Sequence, residues 1–235
     1  MKKEIVNNFL NSAINFFLPK LCAGCDALLK DDEIIFCNEC NLSICRLSDN
    51  EIEETYNEKF LSENYISGLI SLFLFEKKKN LQHAIHKLKY NERTDIGVFL
   101  GKKIIQFYSL EILDLWKIDI IIPVPLHKVK ERERGYNQSF YIAKGISENN
   151  NLIIDKTSLQ RVYYTTTQTK LNLLQRKSNI KNAFLVKDNN NITNKNILLV
   201  DDVVTTGSTI NECARVLLEN GAQKVYVSSI AIADK

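Results

Sequence analysis

The stretch Ile197-Leu198-Leu199-Val200-Asp201-Asp202-Val203-Val204-Thr205-Thr206-Gly207-Ser208-Thr209 decides the fold of this chain. Its apolar start predicts a buried strand, and two carboxylates stand where that strand ends. A turn rich in hydroxyls then leads into a helix whose apolar stripe is Ile210, Cys213, Ala214, Leu217 and Leu218. In open α/β sheets, ligands bind at the carboxyl ends of strands, and a helix N-terminus offers free N–H groups and a positive dipole to phosphate. Thr205, Thr206, Ser208 and Thr209 add hydroxyl donors, and Gly207 lets the backbone approach an anion closely. Surface acids beside an N-cap explain the pattern poorly, because adjacent acids repel a bare phosphate. They suit a ligand with hydroxyls between its phosphates, as a ribose has. No G-x-x-x-x-G-K-[ST] pattern occurs, which disfavours nucleotide hydrolysis of the Walker A kind.

Working outward, Gly221 caps that helix and Lys224–Ala231 reads as the next strand, closing a βαβ unit. Upstream, Tyr65–Phe75 reads as a strand, with helices around Leu81–Tyr90 and Asp95–Tyr108. Ile118–Val124 is a short apolar strand stopped by Pro123-Val124-Pro125. A helix over Glu131–Ile146, a strand near Leu152–Val162 and an extended piece at Phe184-Leu185-Val186 follow. Strands alternating with helices predict an α/β domain with a mostly parallel sheet flanked by helices. At 235 residues and 45% hydrophobic content the chain can bury a core, which excludes wholesale disorder. No apolar run reaches the ~20 residues of a membrane span. The net charge of +3 hides a division: Leu126–Lys181 carries eleven Lys/Arg against four acids, so that segment is +7 and the remainder −4. A local basic stretch fits an anionic partner or a solvated face.

Five of the six cysteines fall near the start: Cys22 and Cys25, then Cys37 and Cys40, then Cys45. Two C-x-x-C pairs across a short loop present four thiolates in the tetrahedral geometry that Zn²⁺ prefers, so Cys22, Cys25, Cys37 and Cys40 are the expected ligands of a structural zinc knuckle. Cys45 could replace Cys40 or be a small buried residue, and Cys213 reads as core. Two disulfides in a secreted protein would need a signal peptide. Asn7, Asn8, Asn11, Ser12 and Asn15 interrupt the apolar region such a peptide requires. That stretch reads better as an amphipathic helix, with Val6, Phe9, Leu10, Ala13 and Phe17 on one side. The expected compartment is the cytoplasm. Residues 1–46 are expected to form the helix and knuckle, 47–64 an acidic connector, and 65–235 the main domain.

The layout of an apolar strand followed by D-D-x-x-T-T-G-x-T closely resembles the phosphoribosyl pyrophosphate (PRPP) motif of type I phosphoribosyltransferases. The resemblance implies that Thr205–Thr209 hold the 5′-phosphate and that Asp201 and Asp202 bind the ribose hydroxyls, with Mg²⁺ bridging sugar and pyrophosphate. Pro123-Val124-Pro125-Leu126-His127-Lys128, then Glu131-Arg132-Glu133-Arg134-Gly135-Tyr136-Asn137-Gln138-Ser139, resembles the ComF family, whose members serve DNA uptake in competent bacteria. Arg161, Thr165, Gln168, Leu171, Arg176, Asn179 and Ala183-Phe184 match that family's next block, and Leu88-Lys89-Tyr90 also fits. Tyr163 departs from it, standing where a basic residue is common. By this resemblance Leu126, His127 and Lys128 form the pyrophosphate loop. It further implies single-stranded DNA as a partner, together with other uptake machinery at the inner membrane.

Two functions compete on the same residues. Lys130, Arg132, Arg134, Arg161, Lys170 and Arg176, with Tyr136, Phe140 and Tyr141 interleaved, suit non-specific binding of single-stranded DNA. The i, i+4 spacing of Tyr136 and Phe140 equally suits a buried stripe. A working phosphoribosyltransferase also needs a group to orient and activate an acceptor, and none is visible among His83, His86 and His127.

Overall fold

A computed structural model of the chain describes residues 19–76, 79–148, 150–163 and 180–233. In chain order these contain α1 (Asn38–Ser43), α2 (Asp49–Lys59), β1 (Gly68–Phe75), α3 (Asn80–Tyr90), α4 (Thr94–Tyr108), α5 (Glu111–Leu115), β2 (Ile120–Pro123), α6 (Lys128–Arg134) and α7 (Gln138–Ser147). They continue with β3 (Ile153–Ile154), β4 (Leu159–Arg161), β5 (Phe184–Val186), β6 (Asn196–Val204), α8 (Ser208–Glu219) and β7 (Lys224–Ala233). The amphipathic helix expected over residues 1–17, and Thr165, Gln168, Lys170, Leu171, Arg176 and Asn179, lie outside the described residues.

The main sheet runs β1-β7-β6-β2-β3 with every pair parallel, and β4 and β5 form a separate antiparallel pair. The apolar run of β6 is continuous because both faces of this central strand are covered. Ile197 and Leu199 join a core with Ile52 and Phe60 beneath one face and with Ile210, Cys213 and Leu217 of α8. Leu198 and Val200 enter the opposite core with α3, α4 and α7. All four β6 residues are fully buried, each worth about 1.5–3 kcal/mol against exposure.

Three expected elements differ in the structure. The single helix over Glu131–Ile146 is two helices, because Gly135 takes a left-handed φ of 82° and Asn137 starts α7 by accepting the Ser139 N–H at 3.0 Å. The strand near Leu152–Val162 is split into β3 and β4 by a turn in which Asp155 accepts the backbone N–H groups of Thr157 and Ser158. The acidic connector contains a docked helix, α2, begun by a capping box between Ser48 and Glu51 and holding Ile52 and Phe60 against the sheet. Its acids face solvent, so composition alone concealed the two apolar anchors.

The cysteine segment packs on the same core. Cys22, Ala23, Ile35, Phe36, Cys37 and Cys40 cluster with β1, α3 and α4. α4 and α7 cross so closely that a Cβ on Gly145 would strike the Val98 carbonyl and one on Gly101 the Ile142 carbonyl.

Candidate functional site

β2 and β6 are adjacent, yet the helices that follow them lie on opposite faces of the sheet, α7 in one core and α8 in the other. The chain therefore leaves the carboxyl ends of these strands in opposite directions and opens a crevice there, the usual ligand position in such sheets. Asp201 and Asp202 sit at that end of β6.

Asp202 is 5% exposed and faces the Lys89 ammonium of α3 at 2.7 Å through Oδ2. Asp201 accepts the Asp202 N–H at 2.8 Å and the Ser139 hydroxyl at 3.1 Å. Desolvation, then repulsion from Asp202, raises its pKa to about 7 against the pull of the Asp202 N–H, Lys89 and Ser139. The pair is thus poised to gain from a cation or hydroxyls brought by a ligand.

Next comes the anion turn. Gly207 has a left-handed φ of 75° and caps α8 without a side chain of its own, and the Thr206 hydroxyl accepts the Ser208 N–H at 3.4 Å. Thr206 and Ser208 hydroxyls meet at 3.0 Å, while Thr205 is exposed and Thr209 half-buried. A Cβ at Gly207 would lie 2.9 Å from the Phe60 ring, and Asn211 donates to the Lys59 carbonyl at 2.9 Å. The end of α2 therefore backs the turn, a part the sequence reading had assigned to a connector.

The expected pyrophosphate residues Leu126, His127 and Lys128 follow β2. The Val124 N–H bonds the Val200 carbonyl at 2.8 Å, holding this loop beside β6. His127 starts α6, accepting the Val129 N–H at 3.2 Å, and Lys128 is the first residue of that helix, exposed. Among the cations expected to touch DNA, Lys130 has its pKa lowered by burial and then by the neighbouring charges of Arg161 and Arg134, with Lys89 adding to them. Burial likewise lowers Arg161, opposed by the charge of Asp201. Lys89 thus faces the carboxylate pair directly and Arg161 lies within the field of Asp201, while Lys130 lies among the cations Lys89, Arg134 and Arg161, and Arg132 is exposed. Tyr136 donates to the Leu88 carbonyl and meets Tyr141 edge-on at 5.6 Å, and all three aromatics are half-buried. Lys89 and Ser139 were missed as site residues; only the isolated Leu88-Lys89-Tyr90 match hinted at the first.

At the other site, ligand atoms of Cys22, Cys25, Cys37 and Cys40 lie within 4.8 Å of one another and could hold a metal ion. Cys37 and Gly24 N–H groups donate to the Cys22 sulfur at 3.3 and 3.4 Å. Burial pushes the Cys22 thiol up, but these N–H bonds outweigh it and bring the pKa down to about 7, favouring the thiolate that a metal needs. Cys45 is exposed and outside the tetrad, so neither of its expected roles is realised; Cys213 is buried, as expected.

A phosphoribosyl transferase domain model matches residues 139–235. Over 222 residues the chain is 29% identical to competence protein F of Haemophilus influenzae, covering 91% of this chain and 90% of that protein. Over most of its length the chain is thus similar to ComF-type competence proteins. It is also 35% identical over 149 residues to the DNA utilization protein YhgH of Escherichia coli K12, covering 63% of this chain and 65% of that one. Competence protein ComFC of Bacillus subtilis is 29% identical over 113 residues, covering 48% of this chain and 43% of its own length. Among solved structures, the allosteric regulatory enzyme of purine biosynthesis is similar at 20% identity and a TM-score of 0.41, over 61% of this chain and 29% of that one. The parallel sheet, the crevice and the domain match make this chain an α/β protein of type I phosphoribosyltransferase-like fold. Among the described residues no helix is long and apolar enough to cross a membrane.

Proposed function

We propose that this ComF-like protein binds PRPP with Mg²⁺ in the β2/β6 crevice and assists passage of single-stranded transforming DNA into the cytoplasm. The observation that carries the ligand assignment is the pairing of two carboxylates with a helix N-terminus at one strand end, with Lys89 on Asp202 and Arg161 within the field of Asp201. In this reading Thr205, Thr206, Gly207, Ser208 and Thr209 take the 5′-phosphate, Asp201 and Asp202 the ribose hydroxyls, and the loop at Leu126, His127 and Lys128 the pyrophosphate. Mg²⁺ supplies charge neutralisation between carboxylates and pyrophosphate. Cys22, Cys25, Cys37 and Cys40 hold Zn²⁺ in a closed, structural site, since four sulfur ligands leave no open position. The site acts in the cytoplasm, with other uptake machinery at the inner membrane as partners.

Support for the DNA role comes from the relatives named for competence and DNA utilization. With Lys128 given to the pyrophosphate loop, the exposed Arg132 is left to face a nucleic-acid backbone. The assignment is tested by a melting assay with Mg²⁺ and PRPP: the wild type is stabilised, and Asp201→Asn combined with Asp202→Asn is not. An equal shift in both proteins removes the motif assignment.

A further inference from the structure

Lys89 stands where the proposed reading needs a metal. Its ammonium lies 2.7 Å from Asp202 Oδ2, an atom that is buried and accepts no hydrogen bond. A buried carboxylate oxygen without its cation is costly, and an ammonium or a divalent ion can each fill that need. The lysine is held out to the carboxylate from behind. α3 is gripped by the cysteine segment, where Lys87 donates to the Cys22 carbonyl at 3.1 Å and to Asp26 at 2.5 Å, and His83 Nδ1 contacts the Gly24 carbonyl at 3.2 Å. Leu81, Ala84, Ile85 and Leu88 anchor its other side in the core. With its backbone fixed, the Lys89 side chain is the part free to change partner, and it retains 25% exposure.

We infer that Lys89 is an internal stand-in for the divalent ion: it neutralises Asp202 in the ligand-free protein, yields that carboxylate to Mg²⁺ when PRPP enters, and moves to the pyrophosphate. Asp201 is the neighbouring acid, and Arg161 lies within its field. The ammonium therefore competes with a bare metal ion but assists a metal–PRPP complex. That opposition of sign follows from Coulomb's law: the same positive charge repels a second cation and attracts a polyanion.

The inference rests on the PRPP reading, and one set of titrations separates the two. Mn²⁺ alone is titrated by loss of its free-ion electron paramagnetic resonance signal, and PRPP by calorimetry at saturating Mg²⁺, on the zinc-loaded protein. Lys89→Met should bind Mn²⁺ about tenfold more tightly and PRPP about tenfold more weakly than wild type, the scale of one charge-assisted contact. Lys89→Arg should restore PRPP binding, and Lys89→Gln should repeat the Met pattern if that variant folds poorly. A lysine that merely props the fold would weaken both ligands, and a bystander would change neither; either result overturns the inference. Wild-type protein that fails to bind PRPP overturns the PRPP reading and this inference together. Wild-type binding with an unaltered Met variant overturns this inference alone.

Discussion

Replacing Asp201 by Asn should make the ligand-free protein more stable at alkaline pH while removing a residue of its binding site. Burial, with Asp202 beside it, raises the folded-state pKa of Asp201 from 3.8 to about 7. Between those values the folded protein holds a proton that the unfolded chain has released. Stability from this group is therefore fully present below about pH 4, falls as pH rises, and is lost once pH passes about 7. The resulting penalty is at most about 4 kcal/mol above pH 7, at about 1.4 kcal/mol per pH unit. Asparagine carries no such penalty, and its Oδ1 can still accept from the Ser139 hydroxyl and the Asp202 N–H. At about 2–4 °C per kcal/mol for a chain of this size, Asp201→Asn should melt up to about 16 °C above wild type at pH 8. The gap should narrow steadily toward pH 4.5. Thermal melts at half-unit pH intervals, without PRPP or divalent ions, read it directly. A variant that melts below wild type at pH 8, or a gap independent of pH, refutes the reasoning, because it would mean that Asp201 is not held at a cost in the empty site.

Chelating metal from the cysteine tetrad should lower the melting temperature by more than about 5 °C, because Cys22, Cys37 and Cys40 share a core with β1, α3 and α4; restoring Zn²⁺ should reverse the loss. Gly145→Ala should cost about 1–3 kcal/mol in denaturant unfolding, since the added methyl strikes the Val98 carbonyl across the α4–α7 contact. Arg132→Ala should reduce the slope of log affinity against log salt for single-stranded DNA by about 0.7, the loss of one phosphate contact, and leave PRPP stabilisation unchanged. An unchanged salt slope assigns that arginine to solvent.

The βαβ unit at the end of the chain was legible because its signals agree: a short apolar run, a glycine turn and an amphipathic helix, each bounded within a residue or two of the structure. The glycine turn before α8 was legible for the same reason, since its signals lie in consecutive residues. What could not be read was anything made by distant residues. Lys89 reaches Asp202 from a helix more than a hundred positions earlier, and Phe60 seals Gly207 from a segment whose surface acids set its composition. Gly135 and Asn137 carried their stop and start signals openly, but the apolar spacing on either side of them looked like one helix. The division of the +7 segment between ligands was also tertiary. Arg161 comes within the field of Asp201 and Lys130 among the cations Lys89, Arg134 and Arg161, and only the fold places them there.

The most direct test of the ligand site is calorimetric titration of PRPP into the zinc-loaded protein with and without Mg²⁺. The account predicts saturable, Mg²⁺-dependent binding by the wild type and its loss when Asp201 and Asp202 are both replaced by Asn. Absence of binding in the wild type, or binding that survives the double replacement, contradicts it.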